Sequence, residues 1–135
     1  MNLYDKDDGF RQFSLAEANE ILPDVVSATE TTLQKLEKVK KEFDAEKKSG
    51  PKRAEKVLTE RSQKILENWS RTIVSLGAYP KGYFTVDFKS HVPDTLLCWT
   101  LGEDQIGHTH KIYETFRERI AITSASHIGF ENTTN

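Results

Sequence analysis

One cysteine in 135 residues leaves no partner for an internal disulfide, which fits a reducing cytoplasm. No run of 18 or more apolar residues occurs, so a transmembrane helix is excluded. Positive charge is not in excess either. Nineteen Lys and Arg stand against 21 Asp and Glu, for a net charge of −2, where a general nucleic-acid binder carries a basic stripe and a high pI. The opening MNLYDKDDGF is acidic and lacks the apolar stretch of a signal peptide. A glycine-rich phosphate loop, an HExxH helix and a GxSxG elbow are all missing. What remains is the profile of a cytoplasmic single domain over residues 1–122, with a small, polar, disordered tail over 123–135.

Charged residues make up 30% and hydrophobic residues 36% of the chain, a balance suited to long helices with polar outer faces. Ser14 and Glu17 have the spacing of a capping box. After them, Leu15, Ala18, Leu22, Val25, Thr29, Thr32, Leu36, Val39 and Phe43 recur at steps of three and four. This seam predicts one coiled-coil-like helix over about residues 14–47, kinked but not stopped at Pro23. Gly50, placed to end that helix in a left-handed conformation, and Pro51, suited to start the next, make a turn. A second seam through Ala54, Leu58, Arg61, Ile65, Asn68 or Trp69, Thr72 and Leu76, weakened by Arg61 and Asn68, predicts a helix over about 51–76, closed by Gly77. So short a connection makes the two an antiparallel hairpin. The seams leave Ile21, Val26, Val57, Leu66 and Ile73 over, which a homodimer would bury.

Beyond Pro80 the period falls to two. Residues 83–88, 95–101 and 106–113 read as three strands, with a turn or short helix at 114–119 and a last apolar run at 120–122. The fold class is therefore α+β: a helical hairpin on a small antiparallel sheet over about 82–122. A four-residue loop between Leu101 and Ile106 would set Trp99 opposite His108 and Leu97 opposite His110. Both histidines then share the apolar face, and Cys98 points the other way. That register removes a Cys–His metal centre, because its ligands must converge on one point. A one-residue slip would reverse the conclusion. His108 and His110 still share a face and could bind a divalent transition metal with Glu103 or Asp87 as third ligand. The commoner role for such histidines is a hydrogen bond at the edge of the core. Lys47, Lys48, Lys52, Arg53 and Lys56 make the hairpin tip basic, the usual state of a solvated helix end.

The segment FSLAEANEILP at residues 13–23, Leu76-Gly77, Lys81, Val86-Asp87-Phe88, Leu97-Cys98-Trp99, Leu101-Gly102-Glu103, His110, Phe116 and Arg119 occur in an order and spacing that resembles the uncharacterised bacterial domain-of-unknown-function 2203 family. Thr109 stands where that family usually has Trp, Lys89 replaces its Pro, and residues 115–119 lack its two glycines. The resemblance implies a long helical region followed by a small β element, and it brings no activity with it. It favours Asp87, Glu103, His110 and Arg119 as a polar cluster that either binds a metal or an anionic small molecule or forms a structural hydrogen-bonded network. The expected function is a non-enzymatic assembly module that self-associates through its helices, without nucleic acid or membrane partners. The alternative is a small enzyme binding a metal or an anionic ligand at Glu103 and His110.

Overall fold

The computed structural model describes residues 10–46 and 50–122. Lys47 and Lys48 of the basic tip, the acidic start at Asp5, Asp7 and Asp8, and the tail 123–135 lie outside the described residues. Two helices, α1 (Leu15–Glu46) and α2 (Pro51–Ser75), form the hairpin. Five strands follow in a meander: β1 (Tyr79–Lys81), β2 (Thr85–Lys89), β3 (Thr95–Thr100), β4 (His108–Lys111) and β5 (Ile120–Ala121). The fold is α+β, with two more short strands than the sequence period reveals. Among the described residues, no helix is long and apolar enough to cross a membrane.

The capping box forms as its spacing requires. The Ser14 amide donates to Glu17 Oε1 at 2.9 Å, and the Glu17 amide donates to Ser14 Oγ at 3.1 Å. The helix then runs through Pro23 without a stop. Ala18, Leu22, Val25, Thr29, Thr32 and Val39 of the seam are buried. On α2 the pattern shifts. Trp69 and Ile73 are buried, while Leu58 and Ile65 are only half-buried and Arg61 is exposed. Arg61 instead pairs with Glu42 across the hairpin. Ile73, expected among the residues left over, is fully buried in the core, because α2 packs on the sheet as well as on α1. Gly50 corrects a second expectation: its φ of −177° is extended, and it caps the start of α2 rather than ending α1 in the left-handed region. Gly77 does close α2, at φ +93°.

One buried hydrogen bond ties the helices together. Trp69 Nε1 donates to Thr29 Oγ1 at 2.9 Å, and that hydroxyl donates in turn to the Val25 carbonyl. Thr29→Val keeps the shape and removes the acceptor, leaving the indole N–H unpaired in a dry site. A loss of about 1–3 kcal/mol is expected, measured by urea unfolding against the wild type.

The inner face of the sheet carries Val86, Phe88, Leu97 and Trp99, which join Phe13, Leu22, Val25, Trp69 and Ile73 in one apolar cluster. Phe13 is placed there by its amide, which donates to the Lys89 carbonyl at 2.7 Å. Its ring meets Phe88 edge-on at 5.2 Å. The first predicted strand is shortened. Tyr83 and Phe84 take left-handed backbone (φ 57° and 55°) in a tight turn, because β1 folds back to pair Tyr79 with Asp87 and Lys81 with Thr85.

The register of the next hairpin differs from expectation by one residue. His108 lies opposite Cys98, Thr109 opposite Leu97, and His110 opposite Leu96. The loop is longer than four residues because Ile106 leaves the ladder. Its amide donates to Asn19 Oδ1 on α1 at 2.8 Å, and its side chain is buried in the core. Gly102, at φ +103°, supplies the left-handed turn residue. Thr109, rather than the histidines, therefore shares the inner parity of Leu97 and Trp99. Cys98, His108 and His110 all lie on the outer face, with Asp87, which pairs with Cys98 in β2.

Candidate functional site

The outer face of the sheet is polar by sequence, yet buried at its centre. Thr85, Asp87 and Lys89 of β2, Leu96 and Cys98 of β3, and His110 of β4 are all inaccessible or nearly so. Asp87 is 2% exposed, His110 6% and Cys98 0%. A cavity of about 760 Å³ opens over this face, lined among others by Lys81, Thr85, Asp87, His110, Phe116 and Arg117. Its lip is the segment after β4, ordered by a second capping box between Thr115 and Glu118 around the short 3-10 turn Phe116–Glu118.

At the floor, His110 Nε2 is 3.0 Å from Asp87 Oδ1, and Nδ1 is 2.8 Å from the Lys111 carbonyl. A carbonyl only accepts, so Nδ1 carries a proton; a carboxylate also accepts, so Nε2 carries one too. With Asp87 ionised, this geometry favours the imidazolium form of the ring. Burial alone lowers its pKa, but the hydrogen bond to Asp87, that carboxylate's charge and the Lys111 carbonyl outweigh it and raise the value. Cys98 lies close enough to Asp87 and Arg119 for both charges to act on its thiol. Burial first, and then the Asp87 charge, push its thiol up to about 12 despite Arg119. The sulfur is a neutral thiol in this arrangement, not a nucleophilic thiolate.

Arg119 reaches Glu103 through two parallel bonds, Nη1 to Oε1 at 3.0 Å and Nη2 to Oε2 at 2.8 Å, the bidentate geometry that favours Arg over Lys. Its guanidinium also sits over the Phe116 ring at 4.1 Å. Glu103 is fixed further by the Thr100 amide, which donates to Oε1 at 2.8 Å, and by Trp99 Nε1, which donates to its backbone carbonyl at 2.9 Å. His108 Nδ1 is 3.4 Å from Glu103 Oε2 without a hydrogen bond.

The four residues singled out by sequence thus form two direct pairs, Asp87–His110 and Glu103–Arg119, with Cys98 near both. The anticipated metal set of Glu103, His108 and His110 does not assemble. Among the described residues, the side chains whose ligand atoms converge are Asp87, Cys98 and His110, all within 4.8 Å of one another. The slipped β3–β4 register is the reason, since it turns His108 and His110 to the outer face, where Cys98 lies beside Asp87 through the β2–β3 pairing.

Burial raises the pKa of Glu103, but the Arg119 guanidinium and Thr100 amide outweigh it and hold the carboxyl below its ordinary value. A depressed folded-state pKa contributes stability above the unfolded value of about 4.3, lost as pH falls through the folded value. Wild type is therefore expected to lose more stability than Glu103→Gln between about pH 5 and 3, read from urea midpoints. Parallel curves for the two proteins would contradict it.

The family model described as "Uncharacterized conserved protein (DUF2203)" matches residues 11–122. No curated protein and no solved structure matches the chain. The chain belongs to the DUF2203 family.

Proposed function

We propose, for this member of an uncharacterised family, that the outer face of the sheet is a binding site for a small anionic molecule with an apolar body. The observation that carries the reading is the buried Asp87–His110 ion pair opening onto a cavity of about 760 Å³. That volume falls within the roughly 300–1,000 Å³ of small-molecule sites. Lys81 and Arg117 stand at the rim, and Leu96, Ile112 and Phe116 give the walls apolar surface. Both ring nitrogens of His110 are engaged, so no lone pair is ready for general-base work, and Glu103 is held by Arg119. Binding therefore fits this geometry better than an enzyme using Glu103 and His110. Titrating the labelled protein with inorganic phosphate and with benzoate, followed by amide chemical shifts, tests it. Shifts should centre on Thr85, Thr100 and Ile112 and be lost in the Lys81→Ala/Arg117→Ala protein. Shifts confined to the helices, or none with either anion, would overturn the reading.

A second reading, self-association through the helical hairpin, is supported by Leu66 and Val74 of α2, 40% and 45% exposed. Sedimentation at micromolar concentration decides it: a dimer that Leu66→Glu dissociates supports the interface, and a monomeric wild type sinks it.

A further inference from the structure

We propose that Asp87, Cys98 and His110 form a site for one divalent transition metal, zinc being the best match, with the remaining coordination position facing the cavity. The proposal deepens the binding reading, because an anion in the cavity would complete the coordination, but the metal site stands on its own geometry.

The donors come from three adjacent strands, β2, β3 and β4, and are placed by the ladder rather than by flexible loops. Their ligand atoms lie within 4.8 Å of one another. Ligands at about 2.0–2.3 Å around a tetrahedral centre stand roughly 3.3–3.8 Å apart. The oxygen and nitrogen already approach to 3.0 Å, so the set needs to close on the sulfur by no more than about an ångström. One nitrogen, one oxygen and one sulfur suit zinc, which is borderline-soft, better than magnesium or calcium, which take oxygen.

The surroundings supply what a metal ligand needs behind it. His110 would bind through Nε2, since Nδ1–H donates to the Lys111 carbonyl at 2.8 Å; that partner fixes the ring and its tautomer. Arg119, held in a fork by Glu103, is near enough for its charge to act on Cys98, so a positive charge favours the thiolate. Charge also balances. Without metal the cluster holds a carboxylate, a thiol and an imidazolium. Entry of a divalent ion displaces the Nε2 proton and the thiol proton to solvent, leaving carboxylate, thiolate and neutral imidazole around it. Two protons leave as two charges arrive, so the buried cluster stays neutral in both states.

The full chain, purified without an affinity tag, reduced and stripped with chelator, is loaded with zinc and separately with cobalt. Native mass spectrometry is expected to show one ion per chain. The cobalt form is expected to show intense visible bands and a thiolate-to-cobalt charge-transfer band. Cys98→Ser should abolish that band. Cys98→Ser, His110→Ala and Asp87→Asn should each weaken zinc by more than the roughly 10–100-fold typical of losing an outer partner. His108→Ala and His91→Ala should leave affinity unchanged. Should the ligand variants fail to fold, the wild-type stoichiometry and cobalt spectrum decide alone. No ion retained, or cobalt bound without the charge-transfer band, overturns the proposal, as does zinc lost in His91→Ala but kept in Cys98→Ser. Anion-induced shifts without zinc binding would sink the metal site and leave the pocket reading standing. Zinc binding without anion shifts would do the reverse.

Discussion

His110→Ala is expected to destabilise the metal-free fold by about 3–5 kcal/mol, the usual cost of removing one partner from a buried ion pair. His110 is 6% exposed and its partner Asp87 2%, so the carboxylate has little solvation of its own to offset the lost imidazolium. What remains is a carboxylate beneath the cavity with the Cys98 thiol as its neighbour. Asp87→Ala should cost a similar amount by stranding the imidazolium. The double variant should cost less than the sum of the two by about 1–3 kcal/mol, because each single change includes the penalty of an orphaned charge. Urea unfolding of the four proteins gives the cycle. Additive losses would mean that the pair is not coupled.

The pH dependence of that gap has a definite sign. His110 has a raised folded-state pKa, so its contribution is complete below the unfolded value of about 6.5 and disappears as pH rises through the folded value. The ring is faced by Asp87 from β2, Cys98 from β3, and the Lys111 carbonyl and Glu114 from its own strand and the turn beyond. The two carboxylates favour the charged ring and the thiol is neutral, so none reverses the sign. The difference between wild type and His110→Ala should narrow from about pH 6.5 upward, and a gap that widens would contradict the imidazolium.

These effects concern a cluster that the sequence discloses only in part, and the reason is one of range. The helices are legible because their signals are local: a capping box three residues long, a three-four alternation, a glycine after the last turn. β2 and β3 are legible from alternation. The faces of β4 are not. Ile106 looks like the next strand residue, and only contact with Asn19, 87 residues earlier in the chain, removes it from the ladder. A shift of one position exchanges the two faces of a strand, so the slip in β4 turns His108 and His110 to the face that already holds Cys98 and Asp87. β1 escapes notice because three residues around Pro80 carry too little pattern. Ile73 is misread because a seam calculated for two helices ignores the sheet beneath them.

Trp99 is where the apolar core and the polar face are joined, and Trp99→Ala is expected to cost about 3–5 kcal/mol. The ring is buried on the inner face among the helix residues, so most of that loss is cavity and lost burial. Trp99→Phe should keep the greater part of the packing and cost about 1 kcal/mol for the hydrogen bond to the Glu103 carbonyl. The second consequence lies on the other side of the sheet. That carbonyl belongs to the residue whose carboxylate grips Arg119, and the charge of Arg119 in turn acts on Cys98. Cutting the indole bond loosens the loop, then the guanidinium, then the cover of the thiol. Cys98 in Trp99→Phe should therefore react faster with a thiol reagent under native conditions than in wild type, by more than its small stability loss predicts. Thr29→Val has an equal or larger expected loss but acts at the helix interface, and serves as the control. If both variants raise thiol reactivity in proportion to their lost stability, the loop carries no special coupling. If Trp99→Phe alone does so, the core tryptophan sets the order of the site.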